Sequence, residues 1–468
     1  MARAKKETAL TPEERLQAAL VPDWEWPYKL PENWCWTRIG NYVDYVTDYV
    51  ANGSFASLKV NVSIFKDENY ALMVKTRDFA NGFTKSLTYT DKHGYDFLSK
   101  STLHGGELIL SNIGSVGKVF RVPYFDRPMT LASNSVMVKC YNSRDYDWMY
   151  YFLLSPIGFE ELKSITTGTA VPKFNKTDLK TIPLPVPPLA EQQRIVDRIE
   201  SLFAKLDEAK EKAQVVVDSF ETRKAAILHK AFTGELSAKW REEHDVGMES
   251  WEKHLLSTVS SLQTGLMKGK KYTGKTVELP YLRVANVQDG FLRLDEIKKI
   301  DVEENAISRY SLAVGDVLFT EGGDFDKLGR GTVWEGQIKN CLHQNHIFVV
   351  RPNPEVLNPY FLSYQAGSRY GKAYFLSCSK QTTNLASINS TQLKNFPVLI
   401  PSMMEQEVII RLLDSSLEKE QQTKNIAESV LDQIDLMKKS ILARAFRGEL
   451  GTNDPSEESA VELLKQII

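Results

Sequence analysis

The chain has 468 residues, of which 42% are hydrophobic and 25% are charged, and its formal net charge is -2 at pH 7. This length predicts two or more domains, and the composition is that of an ordinary globular protein. No stretch approaches the roughly 18 apolar residues of a membrane span, and the first 20 residues lack an apolar core of signal-peptide length. The four cysteines are scattered, which argues against a disulfide framework or a zinc site. We therefore expect a cytoplasmic protein with buried thiols.

The charge is distributed unevenly along the chain. The net charges by segment are 0 for 1–30, +2 for 31–186, -3 for 187–250, +4 for 251–399 and -5 for 400–468. If a polyanion is bound, the two mildly basic segments bind it. Imbalances of this size are also typical of an ordinary solvated surface, so charge alone does not decide between the two interpretations.

After an N-terminal tail at 1–30, residues 31–186 form the first predicted lobe. Short runs rich in Val, Ile, Phe and Tyr, broken by Gly and Asn, indicate strands and turns. Residues 251–399 have the same texture and echo the first lobe at offsets of 208 or 209. The matched stretches include VKTRDFANGF (Val74–Phe83) with LRVANVQDGF (Leu282–Phe291) and GELILSNIGS (Gly106–Ser115) with GDVLFTEGGD (Gly315–Asp324). The chain therefore contains two related but different lobes.

Each lobe is followed by a predicted long helix, at 187–236 and at 400–450. The sequences around these helices match at a constant offset of 214: TIPLPVPPLAEQQRIVDRIESLF (Thr181–Phe203) with NFPVLIPSMMEQEVIIRLLDSSL (Asn395–Leu417), and ILHKAFTGEL (Ile227–Leu236) with ILARAFRGEL (Ile441–Leu450). Prolines favour a helix start, and Gly234 and Gly448 are typical of helix ends. About 40 residues lie between these limits, which corresponds to roughly 60 Å of helix.

Heptad spacing predicts that the two helices form a coiled coil. The first apolar seam begins at Ile195 and has one polar member, Arg223, whereas the second begins at Ile409 and is interrupted by Glu420 among others. One seam alone would stay exposed, so we expect an antiparallel pair. The alternative is two separate helices, each packed on its own lobe.

A linker at 237–250 and a C-terminal tail at 451–468 complete the chain. The stretch Thr11–Pro22 resembles Asp454–Leu464. This similarity fits a circular arrangement in which the two chain ends meet.

The order of these segments resembles that of a known family. A lobe, PLPVPPLAEQQRIV, a long helix and KAFTGEL, followed by a second lobe, PSMMEQEVII and RAFRGEL, is similar to the specificity subunit of a type I DNA restriction-modification enzyme. The resemblance covers residues 31–450. The second proline-containing start departs from the pattern, with Met403 and Met404 where Leu189 and Ala190 stand in the first.

The resemblance implies an α/β (mixed α+β) protein with an internal pseudo-two-fold repeat. Two target recognition domains, 31–186 and 251–399, would each read one half of a bipartite, asymmetric double-stranded DNA target. The two helices would form the spacer and dock two modification subunits, which bind S-adenosylmethionine and methylate adenine. Restriction subunits that use ATP and Mg²⁺ would complete the nuclease. Two readers on one face of B-DNA require a separation near one helical turn, roughly 34 Å, which a rigid rod can impose.

The sequence offers only incomplete catalytic signatures. Asn358–Tyr360 lacks the second proline of a methyltransferase Asn-Pro-Pro-aromatic motif, so we predict a turn before a helix. The trio Asp289, Glu296 and Lys298 has the outline of a nuclease metal site, but such trios are common in charged sequence. There is no phosphate-binding G-x-x-x-x-G-K-[ST] loop, and the glycine-rich stretch Gly322–Gly331 is interpreted as a loop. We therefore predict a non-catalytic chain that holds no metal or cofactor.

Candidate DNA contacts follow from side-chain chemistry, because Arg and Lys read guanine and Asn and Gln read adenine in the major groove. In the first lobe they are Lys75, Arg77, Asn81, Lys85, Asn112, Ser115, Lys118 and Asn134, and in the second Arg283, Asn286, Gln288, Lys327, Arg330, Gln344 and Asn345. For each residue the alternative is a turn-forming Asn or a solvated Lys. Lys173 and Thr383, where each lobe meets its helix, stay open between DNA contact and a joint.

A second hypothesis belongs to another class of protein. Two mixed lobes on a coiled coil would also suit a scaffold that binds a protein or a small ligand. The duplicated proline-containing start with Glu-Gln favours the DNA specificity subunit.

Overall fold

The structure is a computed structural model that describes residues 11–267, 274–323, 328–329, 331–381 and 386–468. The chain divides into two compact units. The first unit comprises Met1–Lys212 and Val430–Ile468, and the second comprises Ala213–Ser429.

The first unit contains the first lobe and both chain ends. Its lobe helices are α1 (Pro12–Ala19), α2 (Ile39–Tyr42), α3 (Phe55–Asn61), α4 (Thr76–Ala80), α5 (Lys92–Phe97), α6 (Ser143–Leu154), α7 (Pro156–Ser164) and α8 (Lys176–Thr181). Its strands are β1 (Cys35–Arg38), β2 (Tyr45–Asp48), β3 (Ala71–Val74), β4 (Tyr89–Thr90), β5 (Thr102–Leu103), β6 (Leu108–Ser111), β7 (Val119–Arg121), β8 (Met129–Leu131), β9 (Ser135–Lys139) and β10 (Pro183–Val186). The long helix α9 (Leu189–Asp218) follows directly.

The second unit contains the second lobe. Its helices are α10 (Phe220–Phe232), α11 (Ala238–Glu243), α12 (Leu256–Val259), α13 (Ile307–Tyr310), α14 (Pro359–Gly367), α15 (Arg369–Cys378) and α16 (Ser390–Lys394). Its strands are β11 (Glu252–Leu255), β12 (Ser260–Thr264), β13 (Thr276–Leu282), β14 (Lys298–Glu303), β15 (Val317–Thr320), β16 (Gly322–Gly323), β17 (Gly331–Val333), β18 (Leu342–His343), β19 (Ile347–Pro352), β20 (Lys380–Gln381), β21 (Ala386–Ser387) and β22 (Pro397–Ile400). The chain ends with the long helix α17 (Met403–Ala445) and with α18 (Ala460–Ile467).

The two lobes repeat the same sheet topology. The strand order β2-β9-β6-β7 in the first lobe corresponds to β12-β19-β15-β17 in the second, and the pair β1-β10 corresponds to β11-β22. Each lobe also contains one parallel pair, β3 with β8 and β13 with β18. These matches confirm the predicted mixed α/β fold and the internal repeat.

Each lobe packs its own apolar core against a long helix. In the first unit, Trp148 and Phe152 on α6 surround Phe446, which follows the end of α17, with ring centroids 4.5 and 5.4 Å away. In the second unit, Phe232 at the end of α10 packs on Phe361 of α14 at 5.3 Å. Burying one such aromatic side chain contributes about 1.5–3 kcal/mol to stability. The aromatic residue of each AF-x-GEL sequence therefore anchors a helix end in a lobe.

The long helices pair antiparallel in the first unit. Lys438 lies 2.5 Å from Asp207, and Lys210 lies 3.2 Å from Asp435, so the sequence rises along α9 where it falls along α17. The Lys438 ammonium also lies over the ring of Phe203. This arrangement confirms the predicted antiparallel pairing and excludes two helices that pack only on their own lobes.

The second unit shows the same pairing between α10 and α17. Arg223 donates from Nε to Glu420 Oε2 at 2.6 Å, and the Lys424 ammonium lies over the ring of Phe220. Arg223 is the polar member of the first apolar seam, and Glu420 is one of the residues that interrupt the second. Because the two polar groups meet, they satisfy each other and disfavour a shifted register.

The sequence predicts one continuous long helix at 187–236, but in the structure this helix is interrupted. It divides at Ser219 into α9 and α10. The Ser219 hydroxyl donates to the carbonyl of Val215, and such back-bonding bends helices. Backbone hydrogen bonds continue through the position, because Arg223 N donates to Ser219 O at 3.0 Å.

The two chain ends meet in the first unit, as predicted. Helices α1 and α18 contact each other, and the guanidinium of Arg15 donates to the carbonyl of Ile468 at 3.0 Å. Leu16 and Leu464 belong to the same buried cluster. Among the described helices, none combines the length and the apolarity that a bilayer crossing requires. All four cysteines are free, and three of them are buried.

Candidate nucleic-acid interface

A basic side chain stands at the same position of both lobes, directly after the strand that pairs in parallel. Lys75 follows β3, and Arg283 follows β13. The backbone N–H of Lys75 donates to Asp78, and that of Arg283 donates to Asn286, both at 2.9 Å. The carboxamide of Asn286 thus accepts in the second lobe the hydrogen bond that the carboxylate of Asp78 accepts in the first. In each lobe this bond fixes the backbone of the basic residue.

The surroundings of the two basic side chains differ. Burial, together with the nearby Arg77 guanidinium, lowers the pKa of Lys75 from its ordinary value. Within the described residues the Lys75 ammonium makes no hydrogen bond or ion pair, so an anion at this site would favour its charged form and raise its pKa. Arg283 instead donates to the carbonyl of Glu296 at 3.3 Å and lies 3.4 Å from the Glu296 carboxylate.

Three of the predicted contacts of the first lobe lie in α4 and in the turn after it. Asn81 is engaged in the turn itself, because its amide donates to Lys85 O at 2.8 Å and its oxygen accepts from Phe83 N at 3.1 Å. Arg77 donates to Ser86 O at 2.9 Å. The Arg77 and Lys85 side chains are exposed, and they remain accessible to a partner.

The remaining predicted contacts of the first lobe lie around β6 and β9. Asn112 is half-buried, and its amide donates to the carbonyl of Phe174 at 3.2 Å, which ties the loop to the lobe–helix joint. Ser115 and Lys118 are exposed in the loop between β6 and β7. Asn134 is exposed in a left-handed conformation with φ 66°.

In the second lobe the predicted residues differ in how far they are available. Asn286 is buried, and its amide donates to two backbone carbonyls at 2.8 and 3.1 Å, so its polar group is occupied within the fold. Gln288 donates to Ala285 O at 2.9 Å. Gln344 and Asn345 are half-buried in the turn before β19. Lys327 and Arg330, like Thr383 at the joint, lie outside the described residues.

The second lobe also encloses a cleft of about 610 Å³ that the sequence did not predict. It brings together five chain segments: the residues after β13, β16 with the residue before it, the turn before β19, β20 and β21. Its lining residues are Val284, Glu321, Gly322, Gly323, His346, Lys380, Ala386 and Ser387. The signal that could have revealed it is the repeat itself, because GDVLFTEGGD aligns Glu321 with Asn112, which was selected in the first lobe.

The duplicated Glu-Gln sequence is structural. Glu191 lies at the start of α9, is fully buried, and accepts hydrogen bonds from Trp34 Nε1 at 2.7 Å and Asn453 Nδ2 at 2.8 Å. Thr452 adds a third at 3.3 Å. The segment after the end of α17 therefore secures the start of α9.

Glu405 at the start of α17 has the corresponding position in the second unit. It is fully buried and accepts from Ser237 Oγ and from Arg241 Nη1, both at 2.7 Å. Ser237 and Arg241 belong to the segment after α10. Each Glu thus meets the segment that follows the opposite helix, which explains why Glu-Gln and GEL occur twice at one offset.

The neighbouring glutamines close the proline-containing starts. Gln192 donates to Pro187 O at 3.0 Å, and Gln406 donates to Pro401 O at 2.9 Å. Both are buried. Each therefore satisfies the carbonyl of a proline two residues before its helix begins, which lies outside the intrahelical hydrogen-bond pattern.

The catalytic look-alikes have structural roles. Asn358 is the N-cap of α14 and accepts from Tyr360 N at 2.9 Å, which confirms the predicted turn before a helix. Asp289 is held between Lys224 and Lys372 at 3.4 and 3.8 Å. In the part of the chain that the structure describes, no group of three or more His, Cys, Asp or Glu side chains is arranged to hold a metal ion.

Comparison with known proteins identifies related sequences and folds. The profile of the family described as type I restriction modification DNA specificity domain matches residues 41–216 and 248–431. The chain is 26% identical over 327 residues to the type I restriction enzyme EcoKI specificity subunit of Escherichia coli K12, which covers 68% of this chain and 70% of that protein. It is 24% identical over 437 residues to the MjaVIII specificity subunit of Methanocaldococcus jannaschii, which covers 90% of this chain and 94% of that protein.

Solved structures show the same fold. The crystal structure of the HsdS subunit from Thermoanaerobacter tengcongensis matches with a TM-score of 0.58 at 19% identity, over 91% of this chain and all of that one. A chain from a study of complex assembly and conformational transition of the type I R-M system matches with a TM-score of 0.59 over the same shares.

Proposed function

Since this chain belongs to the type I restriction-modification DNA specificity family, we propose that it reads a split, asymmetric DNA target with one half-site for each lobe. It is a non-catalytic specificity subunit with two tandem recognition domains. We assign those domains to 31–186 and 251–399. The duplicated family match speaks against the scaffold hypothesis, which explains neither the repeat nor its spacing.

The observation that carries the proposal is the basic residue at the end of the parallel strand in both lobes. Lys75 and Arg283 occupy matched positions, and each is fixed by a hydrogen bond from its own backbone. The side chains around them differ between the lobes. A common anchor with different neighbours is what two readers of different half-sites require, since phosphate contacts position a protein and base contacts specify the sequence.

The availability of the side chains narrows the set of proposed DNA contacts. We retain those with exposed or half-buried polar groups that can reach a partner: Lys75, Arg77, Lys85, Ser115, Lys118 and Asn134 in the first lobe, and Arg283, Gln344 and Asn345 in the second. Asn81, Asn112, Asn286 and Gln288 use their amides within the fold. We assign these four a structural role.

The partners follow from the family. Type I specificity subunits act with DNA, modification subunits and restriction subunits. We propose that two modification subunits dock on the long helices, that they bind S-adenosylmethionine and methylate adenine, and that restriction subunits use ATP and Mg²⁺. We also propose that helix length sets the number of unread base pairs, since each helical residue adds 1.5 Å.

The test is a map of methyladenine in a host that co-expresses this chain with its modification subunit. A split, asymmetric motif that disappears when this chain is omitted is expected. Exchanging 251–399 for the corresponding lobe of another specificity subunit should change one half of the motif and leave the other intact. Chain-independent methylation, or none from a soluble and active complex, would contradict the proposal.

The anchors can be tested with the purified complex. If Lys75 reads a base, Lys75→Met is expected to weaken DNA binding by about 1–3 kcal/mol and to relax sequence specificity at one position of the target. If Lys75 binds a phosphate, the variant is expected to weaken binding to all DNA sequences alike and to lower the magnitude of the slope of log affinity against log salt concentration by about 1. Lys100→Met, an exposed lysine of the same lobe outside the proposed set, is the control. Equal binding by the Lys75 and Lys100 variants would remove Lys75 from the interface.

A further inference from the structure

The cleft of the second lobe contains an acid–histidine pair that no part of the proposed contact set includes. His346 Nδ1 lies 2.5 Å from Glu321 Oε2, and the two side chains are 52% and 37% exposed. The backbone N–H of Glu321 also donates to His346 O at 3.0 Å, so the two residues are joined through both backbone and side chain. Within the described residues, the second carboxylate oxygen, Oε1, accepts no hydrogen bond.

The pair occupies a matched position in the internal repeat. Glu321 directly follows β15, and His346 directly precedes β19, where Thr320 pairs with Ile347. In the first lobe, Ser111 at the end of β6 pairs with Ser135 at the start of β9 in the same way. The corresponding residues of the first lobe are therefore Asn112 and Asn134.

A backbone hydrogen bond verifies this correspondence. Ile388 N donates to Glu321 O at 2.8 Å, and Phe174 N donates to Asn112 O at 3.1 Å. The two donors lie 214 residues apart, which is the offset of the lobe–helix joints. The same pair of positions thus presents two neutral amides in the first lobe and a carboxylate with an imidazole in the second. If the lobes read different half-sites, such positions are where the difference must arise.

A carboxylate in a surface that approaches phosphates is costly unless it accepts a hydrogen bond from the nucleic acid. In the major groove only cytosine N4 and adenine N6 are donors, whereas guanine N7 and O6 and thymine O4 are acceptors. An acidic side chain therefore selects bases with an amino group and repels the others. Lys380 at the rim of the cleft adds a positive charge that offsets the repulsion from the backbone.

We propose that Glu321 reads the exocyclic amino group of one base, cytosine or adenine, in the half-site of the second lobe, and that His346 is the positioning residue that orients its carboxylate. The hydrogen bond from His346 to Oε2 leaves Oε1 as the acceptor for the base. This inference rests on the proposed function, because it assumes that the second lobe reads DNA.

The first experiment compares methylation motifs of the complex with the wild-type chain and with Glu321→Met, which keeps the side-chain length and removes both carboxylate acceptors. The variant is expected to lower selection at one cytosine or adenine position of one half-site about 5- to 100-fold, and to leave the other half-site and the gap unchanged. Glu355→Met makes the same chemical change at an exposed site of the same lobe outside the cleft and is expected to keep the wild-type motif. A Glu321→Met motif as sharp as wild type at every position overturns the assignment.

The second experiment uses base analogues and identifies the base. Duplexes carry 2-pyrimidinone in place of cytosine, or purine in place of adenine, at each amino-bearing position of that half-site. The wild-type complex is expected to bind one of these duplexes about 5- to 100-fold more weakly, while Glu321→Met loses much less at the same position. Full wild-type affinity for every such duplex overturns the inference without the need for a folded variant.

The role of His346 has its own readout. His346→Gln keeps a hydrogen-bond donor near Glu321, whereas His346→Ala removes it. Reduced discrimination against the analogue in His346→Ala, with recovery in His346→Gln, supports a positioning role, and equal discrimination in both overturns it. If the wild-type complex produces no chain-dependent methylation, the proposed function itself fails. A chain-dependent motif that Glu321→Met does not alter overturns only this assignment.

Discussion

Replacing Arg241 by Met should open the start of α17 in the second unit. Arg241 and Glu405 are 9% and 1% exposed, and their charged atoms lie 2.7 Å apart. Removing the guanidinium leaves a buried carboxylate with one remaining partner, the hydroxyl of Ser237. Loss of one partner from a buried ion pair costs about 3–5 kcal/mol, because the other charge stays buried without compensation.

The first unit supplies the matched control. Arg194 binds Glu457 through two hydrogen bonds of 2.8 Å, but its side chain is 40% exposed. Arg194→Met should therefore cost about 1 kcal/mol or less, since water replaces the lost partner. Adding Glu405→Gln to the Arg241→Met variant should recover part of the loss, because the buried negative charge is removed while an acceptor for the serine hydroxyl remains.

The assay is native-state hydrogen exchange of the amides in the first turns of α9 and α17. A single unfolding free energy would mix the two units, whereas exchange reports the opening of each region. Arg241→Met is expected to lower protection in α17 and to leave α9 unchanged. Equal effects of the Arg241 and Arg194 variants would refute the argument that burial decides the cost.

Three further perturbations follow from the described environments. Burial lowers the pKa of His343 from 6.5 to about 4, so the second lobe should lose roughly 3 kcal/mol of stability as pH falls from above 6.5 to about 4, and His343→Asn should flatten that dependence in urea unfolding. Burial raises the pKa of Asp78 from 3.8. Ionisation of Asp78 therefore destabilises the first lobe as pH rises through the raised pKa. Asp78→Asn should raise the melting temperature at pH 7 but not at pH 4. Gly448 and Gly451 both have positive φ, a conformation that costs an alanine about 1–2 kcal/mol. Gly448→Ala should lower thermal stability more than Gly451→Ala, because only at Gly448 would the new Cβ meet a proline ring, at 2.5 Å. An undiminished pH slope in His343→Asn would contradict the first argument. A gain of Asp78→Asn that does not depend on pH would contradict the second, and equal losses at the two glycines would contradict the third.

Much of the architecture could be predicted because repetition amplifies weak local signals. The offset of 214 identified two helices with their starts and ends, and the apolar seams predicted their antiparallel pairing. The break at Ser219 was missed, since serine within a helical pattern is tolerated and its back-bond to Val215 depends on the folded geometry. Arg223 and Glu420 each weaken the heptad pattern of their own helix. The reason for both polar residues is visible only in the paired helices, where they hydrogen-bond to each other.

The candidate site was predicted less completely because side-chain chemistry alone does not reveal whether a polar group is already used. Asn81, Asn112 and Asn286 have the amides that read adenine, but each of them hydrogen-bonds to the backbone of its own lobe. Side-chain chemistry also gave no signal for Glu321 and His346, because carboxylates repel phosphates and histidine is not among the common base readers. Their proximity depends on the pairing of β15 with β19, which lies beyond any local pattern.

The sequence by itself determined the family, the two lobes, the two long helices and the meeting of the chain ends, because these depend on repeated local patterns and on composition. Tertiary structure alone decided what the repeated residues do. The Glu of each Glu-Gln sequence is buried against the segment that follows the opposite helix. Glu321 and His346 stand at the strand ends that Asn112 and Asn134 occupy in the first lobe. The physical reason is that hydrogen-bond satisfaction and burial depend on partners that lie more than 150 residues apart in the chain.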